Sequence, residues 1–94
     1  MPMTDLTGMD IWQVRSLARQ LGSEANDIRG LIGSLTADVQ GAPWRGTDRE
    51  RFVSTWAEVH ARALHRVADG LDDAAREADD YADRQEAASR GFRF

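Results

Sequence analysis

Between residues 11 and 39 the apolar side chains fall in unbroken steps of three and four: Ile11, Val14, Ala18, Leu21, Ala25, Ile28, Ile32, Leu35 and Val39. No other feature narrows the possible folds as far. A repeat of this period lays one narrow seam along a helix, and a seam held for about four heptads predicts a coiled-coil-like helix that needs a mate. The expected span is about 10–40. Asp10 stands where an N-cap belongs, with Gln13 three residues on in capping-box spacing. Gly41 and Pro43 stand where a helix should stop. Gly22, Gly30 and Gly33 weaken the helix by roughly 1 kcal/mol each relative to alanine. They mark either the close approach of another backbone or added flexibility.

A second run lies beyond them. Thr47 and Glu50 have capping-box spacing, and Val53, Ala57, His60, Leu64, Val67, Leu71, Ala74, Ala78, Tyr81, Gln85 and Ala88 again step by four and three. Helix two is expected over about 48–88, with a turn at 41–47 and a frayed tail at 89–94, where SRGFRF has no pattern. No segment alternates as a strand would. Two long helices joined by a short link pack antiparallel. The expected fold class is therefore all-α, an antiparallel two-helix hairpin, with residues 1–94 as a single helical-hairpin domain.

Composition removes several function classes. The net charge is −4 and every cation is arginine, so phosphate backbones are poor partners and no nucleic acid is expected. Cysteine is absent, which leaves no disulfide framework and no thiolate metal site. His60 and His65 are five apart rather than the four a zinc helix shows. No nucleophile or acid–base partner is spaced to work with His60, which reads as a partly wet seam residue. His65 reads as exposed. No catalytic residue, metal or cofactor is expected, and the protein reads as no enzyme. No apolar run approaches the ~20 residues that span a bilayer. The opening MPMTDLTGMD lacks the charged start and apolar core of a secretory signal peptide, which speaks against classical export and against membrane insertion.

A second stripe lies beside the seam. Phe52, Trp56, Val59 and Ala63 keep four–three–four spacing one position off it, and Leu17 and Leu31 flank the first helix in the same way. A hairpin has one internal interface, so this stripe is either a wider core or a partner surface. Two helices alone rarely bury enough to fold, which favours association into a four-helix bundle built from two hairpins. The alanine-rich end of helix two allows close approach and buries little. Its acids, among them Asp69, Asp72, Asp73, Glu77, Asp79, Asp80 and Asp83, read as a solvated face near Arg15 and Arg19, without the order of a calcium loop. Trp12 lies off the seam and either caps the bundle end against Met9 or touches a partner. Phe92 and Phe94 end the tail.

With Trp44-Arg45-Gly46 in the turn, LTGMDIWQVRSLARQL at the start and RFVSTWAEV after the turn, nearly the whole chain resembles the WXG family. These are the small helical-hairpin substrates of type VII (ESX) secretion, and the resemblance is to actinobacterial members. It implies a non-enzymatic secreted protein, or a co-secreted partner or chaperone, working as a homodimer or as a heterodimer with a related WXG hairpin. It implies export without a cleaved signal peptide from a cytoplasmic pool, through a type VII secretion ATPase. In the family a tyrosine near the end of helix two is succeeded four residues later by an acid. Tyr81 matches the tyrosine, but position 85 is Gln85 and the acid, Glu86, comes one residue late. Gln85 shares the face of Tyr81, whereas Glu86 is rotated by about 100°. Either Glu86 substitutes, or a partner carries the intact signal. The implied export elements are Trp44, Gly46, Tyr81 and Glu86. The dimer interface expected from the stripe is Leu17, Leu31, Phe52, Trp56, Val59 and Ala63. Residue by residue, Trp44 also reads as a plug at the open end of the hairpin, with Gly46 as a permissive backbone. The competing function is an intracellular adaptor or immunity-like helical protein that binds a larger toxin or effector through the same stripe.

Overall fold

A computed structural model describes residues 7–91, with side chains from Ile11 to Arg90. The Phe92/Phe94 tail and the Met9 side chain, one of the two contacts considered for Trp12, lie outside them. Helix α1 runs Thr7–Gly41 and α2 runs Thr47–Thr55; a π-helical turn, Trp56–His60, joins α2 to α3, Ala61–Gly91. The fold is a helical hairpin, and no strand occurs among the described residues.

The helix ends correct the sequence reading at three places. α1 begins at Thr7, so Asp10 lies inside the first turn and not at the cap. Nothing in Thr7, Gly8 and Met9 bars a helix, since none is proline. At the far end, residues 89–91 are helical where a frayed tail was expected, and Arg90 in that last turn complements the helix dipole. The cap of α2 is Gly46, with Thr47 as its first helical residue, so Thr47 and Glu50 form no capping box. The backbone N–H of Glu50 donates to the Gly46 carbonyl at 3.2 Å instead.

Packing divides the hairpin into two compact units, 1–23 with 71–94 and 24–70. In the first, the described part pairs the start of α1 with the end of α3. Ala18 and Ala82 are buried there, with Ile11, Val14, Leu21, Leu71, Ala75 and Ala78 half-buried around them. In the second, Ala25, Ile32, Ala61 and Ala68 are buried, with Ile28, Leu35, Val39, Val53, Trp56 and Leu64 half-buried. The α1 seam is thus the one expected: none of its nine residues is exposed. Among the described residues, Ile32 is the sole buried side chain larger than alanine.

The second seam departs from the expected one by a single residue, and the π turn is the reason. The Ala61 N–H bonds to the Trp56 carbonyl five residues back, which puts one extra residue into that turn. Beyond it Leu64, Leu71, Ala78 and Gln85 of the expected seam keep their places, while the positions between them move by one, from His60, Val67 and Tyr81 to Ala61, Ala68 and Ala82. The buried line becomes Ala61, Leu64, Ala68, Leu71, Ala75, Ala78 and Ala82. Ala57, His60, Val67, Tyr81 and Ala88, expected in the seam, are exposed, while Trp56, expected in the outer stripe, is half-buried.

Gly22, Gly30 and Gly33 are not sites of close approach within the chain: a Cβ at any of them meets nothing within 4 Å. Gly30→Ala and Gly33→Ala should therefore each raise stability by up to about 1 kcal/mol through helix propensity alone. Ile32→Ala, one or two residues away, should lower it by about 2–4 kcal/mol because it empties a buried site. Urea melts monitored by circular dichroism test both signs in one experiment.

Candidate functional site

The connection between α1 and α2 is only five residues long, 42–46, and it contains the Trp-x-Gly triplet. Gly46 has φ 91° and ψ −165°, the sole positive φ in the described chain. A side chain there costs about 1–3 kcal/mol, so the glycine is required by the turn itself. Trp44 is 37% exposed and meets Phe52 edge-on, with ring centroids 5.1 Å apart at 61°. That geometry suits the aromatic quadrupoles and anchors the loop to α2. The last turn of α1 has no basic residue, and Arg49 reaches back from α2 to donate to the Gln40 carbonyl at 2.7 Å. This satisfies one of the carbonyls that a helix end leaves open.

Deeper in the same unit, the Trp56 indole N–H donates to the Thr36 hydroxyl at 2.9 Å. Its ring also lies 6.2 Å from His60. Trp56 thus bridges the π-helical turn to α1 and is not part of a free outer face. His60 is exposed, not a wet seam residue. Phe52, Val59, Ala63 and Leu31 remain exposed, as a partner surface requires. Val67, which the shifted register turns outward, is also exposed. Arg29 bonds to Asp69 at 2.8 Å.

In the other unit, Arg15 clasps two acids, Asp83 at 2.9 Å and Glu86 at 3.0 Å. The Asp83 hydrogen bond, opposed by desolvation and helped by the charges of Asp83 and Glu86, holds the guanidinium above the ordinary arginine range. A raised value means the contribution is complete below the unfolded arginine's pKa and is lost only as pH climbs through the folded one, far above neutrality. On the arginine side the clasp is therefore constant near neutral pH. Glu86, the acid implied in the export element, is engaged inside the chain, and Gln85 sits half-buried on the seam.

An open groove of about 510 Å³ runs along this unit, lined by Val14, Leu17, Leu21, Ala74, Glu77, Ala78, Tyr81 and Arg84. Leu17 is 49% and Tyr81 50% exposed, so the structure brings an expected interface residue and an expected export residue to one groove. Trp12, also exposed, lies outside it. Trp44 and Gly46 belong to one unit, Tyr81 and Glu86 to the other. Among the described residues no group of three or more His, Asp and Glu side chains could hold a metal ion, and no helix is long and apolar enough to cross a membrane. In comparisons with known proteins, no family model, no curated protein and no solved structure matches the chain.

The residue that sequence reasoning misplaced most was Trp56. It aligns with the outer stripe and not with the seam, and only the five-residue step from Trp56 to Ala61, seen in the backbone, reconciles the two. Trp56→Phe should lose the indole donor and cost about 0.5–1.5 kcal/mol. Thr36→Val should cost a similar amount, and the double variant less than the sum, since both remove one bond. A double-mutant cycle by chemical denaturation measures it.

Proposed function

We propose that the chain is a WXG-type helical hairpin handled by type VII secretion, as a substrate or a co-secreted partner, with no catalytic role of its own. The observation that carries this reading is the placement of Trp44-Arg45-Gly46. The triplet lies in a five-residue connection between two long helical arms, with the tryptophan part-exposed and the glycine at a positive φ. Support also comes from the exposed apolar residues Leu17, Leu31, Phe52, Val59 and Ala63, an outer surface suited to a second hairpin. Trp56 leaves that set, because its indole is committed to Thr36.

In this reading the exported particle is a dimer, and the secretion ATPase reads the Trp44 turn of one subunit together with the tyrosine segment of the other. Glu86 stands one residue late and is held by Arg15, so the acidic part of the signal is supplied by the partner. The chain begins in the cytoplasm and leaves without cleavage of a signal peptide. Neither nucleic acid nor membrane insertion has a part in the scheme.

The test is export of a tagged chain from a host with a type VII system, compared with the same host lacking the ATPase. The wild type should reach the medium only when the ATPase is present. Trp44→Ala, checked for helicity by circular dichroism, should reduce export about tenfold or more while the intracellular pool persists. Retention of the wild type, or export of Trp44→Ala at the wild-type level, overturns the proposal.

A further inference from the structure

The two compact units differ in what holds each of them and in how their arms are linked. The second, 24–70, closes on the five-residue connection 42–46. It buries Ala25, Ile32, Ala61 and Ala68, bonds the Trp56 indole to Thr36 and sets Trp44 edge-on to Phe52. The first pairs 7–23 with 71–91 among the described residues, and its buried side chains there are Ala18 and Ala82 alone. Its arms are linked through the whole of 24–70. A loop costs more entropy to close the longer it is, so the first unit closes only once the second has formed. Between 72 and 86 its stretch of α3 also carries seven acids against two arginines, Arg76 and Arg84, and like charges along one helix oppose its folding. Arg15 on α1 answers that excess at two points, Asp83 at 2.9 Å and Glu86 at 3.0 Å.

The division between the units falls at a glycine on both arms. Gly22 is the last residue but one of 1–23, and Gly70 is the last of 24–70. A Cβ at either meets nothing within 4 Å, so packing within the chain requires neither. A glycine inside a helix is a weak link, because it gains the most backbone freedom when the helix breaks. Gly30 and Gly33 also lie in the second unit, but on one arm only and on either side of the buried Ile32.

We propose that the first unit is a clasp that opens by itself: its two arms part together, breaking at Gly22 and Gly70, while the second unit stays folded, and Arg15 is the latch. Elements that open alone come from the least stable part of a structure, and here the small core, the long link and the acidic arm all point to the same unit. Opening breaks the Arg15 bonds and returns Asp83 and Glu86 to water with Ala18 and Ala82. Tyr81 and Glu86 both lie in the part that opens, so the latch governs whether that segment is held or free. The device is a property of the lone chain and stands apart from the secretion reading.

The experiment is amide hydrogen exchange on the full chain, read by mass spectrometry of peptide fragments, with circular dichroism on each variant. Amides of 11–21 and 73–88 should exchange through one shared opening, about tenfold or more faster than those of 25–39 and 56–68, with a step at each glycine. Ordinary fraying gives instead a gradient that falls smoothly from both termini. Arg15→Gln should speed exchange in both arms of the first unit by about threefold and leave the second unit unchanged. The substitution is on α1, so its effect on 73–88 is a readout that a local loss of helix cannot give. Gly22→Ala combined with Gly70→Ala should slow exchange in the first unit about tenfold or more and flatten the step. A smooth gradient, or a single rate throughout the chain, overturns the separate opening. An Arg15→Gln effect confined to α1, or shared by both units, overturns the latch. The secretion reading is decided separately, in the export assay: a stepped exchange profile in a chain that is never exported would leave the clasp standing and that reading overturned.

Discussion

The close packing of helix against helix on alanine sets the terms for everything else in this chain. The buried positions are Ala18, Ala25, Ile32, Ala61, Ala68 and Ala82. A small side chain at the contact lets two backbones approach, and it also removes little apolar area from water. Ile32 apart, the larger residues stay out of the centre of that seam. Ile11, Val14, Leu21, Leu64 and Leu71 flank it half-buried, and Leu17, Leu31, Phe52, Val59, Val67 and Tyr81 are displaced to the outside. The ion pairs offer little compensation. In Arg15 with Asp83 and Glu86, and in Arg29 with Asp69, the acids stand well exposed, and screening by water keeps such pairs weak. A narrow seam and a displaced set of large apolar residues are two sides of one packing choice.

The π turn at Trp56–His60 reconciles the two halves of the sequence pattern. Ahead of it, Val53 and Trp56 face α1; beyond it, Ala61 begins a strict seven-residue run of alanines at 61, 68, 75 and 82. Without the extra residue these two sets would lie on different faces. The turn is where an indole reaches across to Thr36, so the inserted residue and the one polar bridge between α1 and the second arm at that level occur together. The same shift moves Val67 and Tyr81 from interior to surface. Tyr81 is thereby left exposed, and its neighbours in the groove include Glu77 and Arg84.

Much of the fold was legible in the residues. The α1 seam, the all-helical hairpin and the position of the connection derive from period and from Gly41 and Pro43, because heptad spacing is a local property of the chain. Parts of the candidate surface were legible for the same reason: Leu17, Leu31, Phe52, Val59 and Ala63 stand one position off the seam and remain exposed. Trp56, His60 and Tyr81 were misplaced by a single cause, a five-residue step that no propensity marks. Helix ends were also misjudged. Gly46 displaced Thr47 as the cap of α2 because its backbone takes a conformation that only glycine adopts readily, and a residue already inside the helix cannot form a capping box.

The sequence by itself determined the helices, the seam of the first arm, the turn and the acidic, cysteine-free surface, since each depends on residues within a few turns of one another. The tertiary structure decided which face of the second arm is buried, that Trp56 bridges to Thr36, that Arg15 holds Glu86, and that Tyr81 shares a groove with Leu17, Glu77 and Arg84. Those outcomes depend on one inserted residue in a helical turn and on pairings between positions up to 71 residues apart. Backbone hydrogen bonding fixes the first and packing between the arms fixes the second, and neither leaves a local trace in the order of the amino acids.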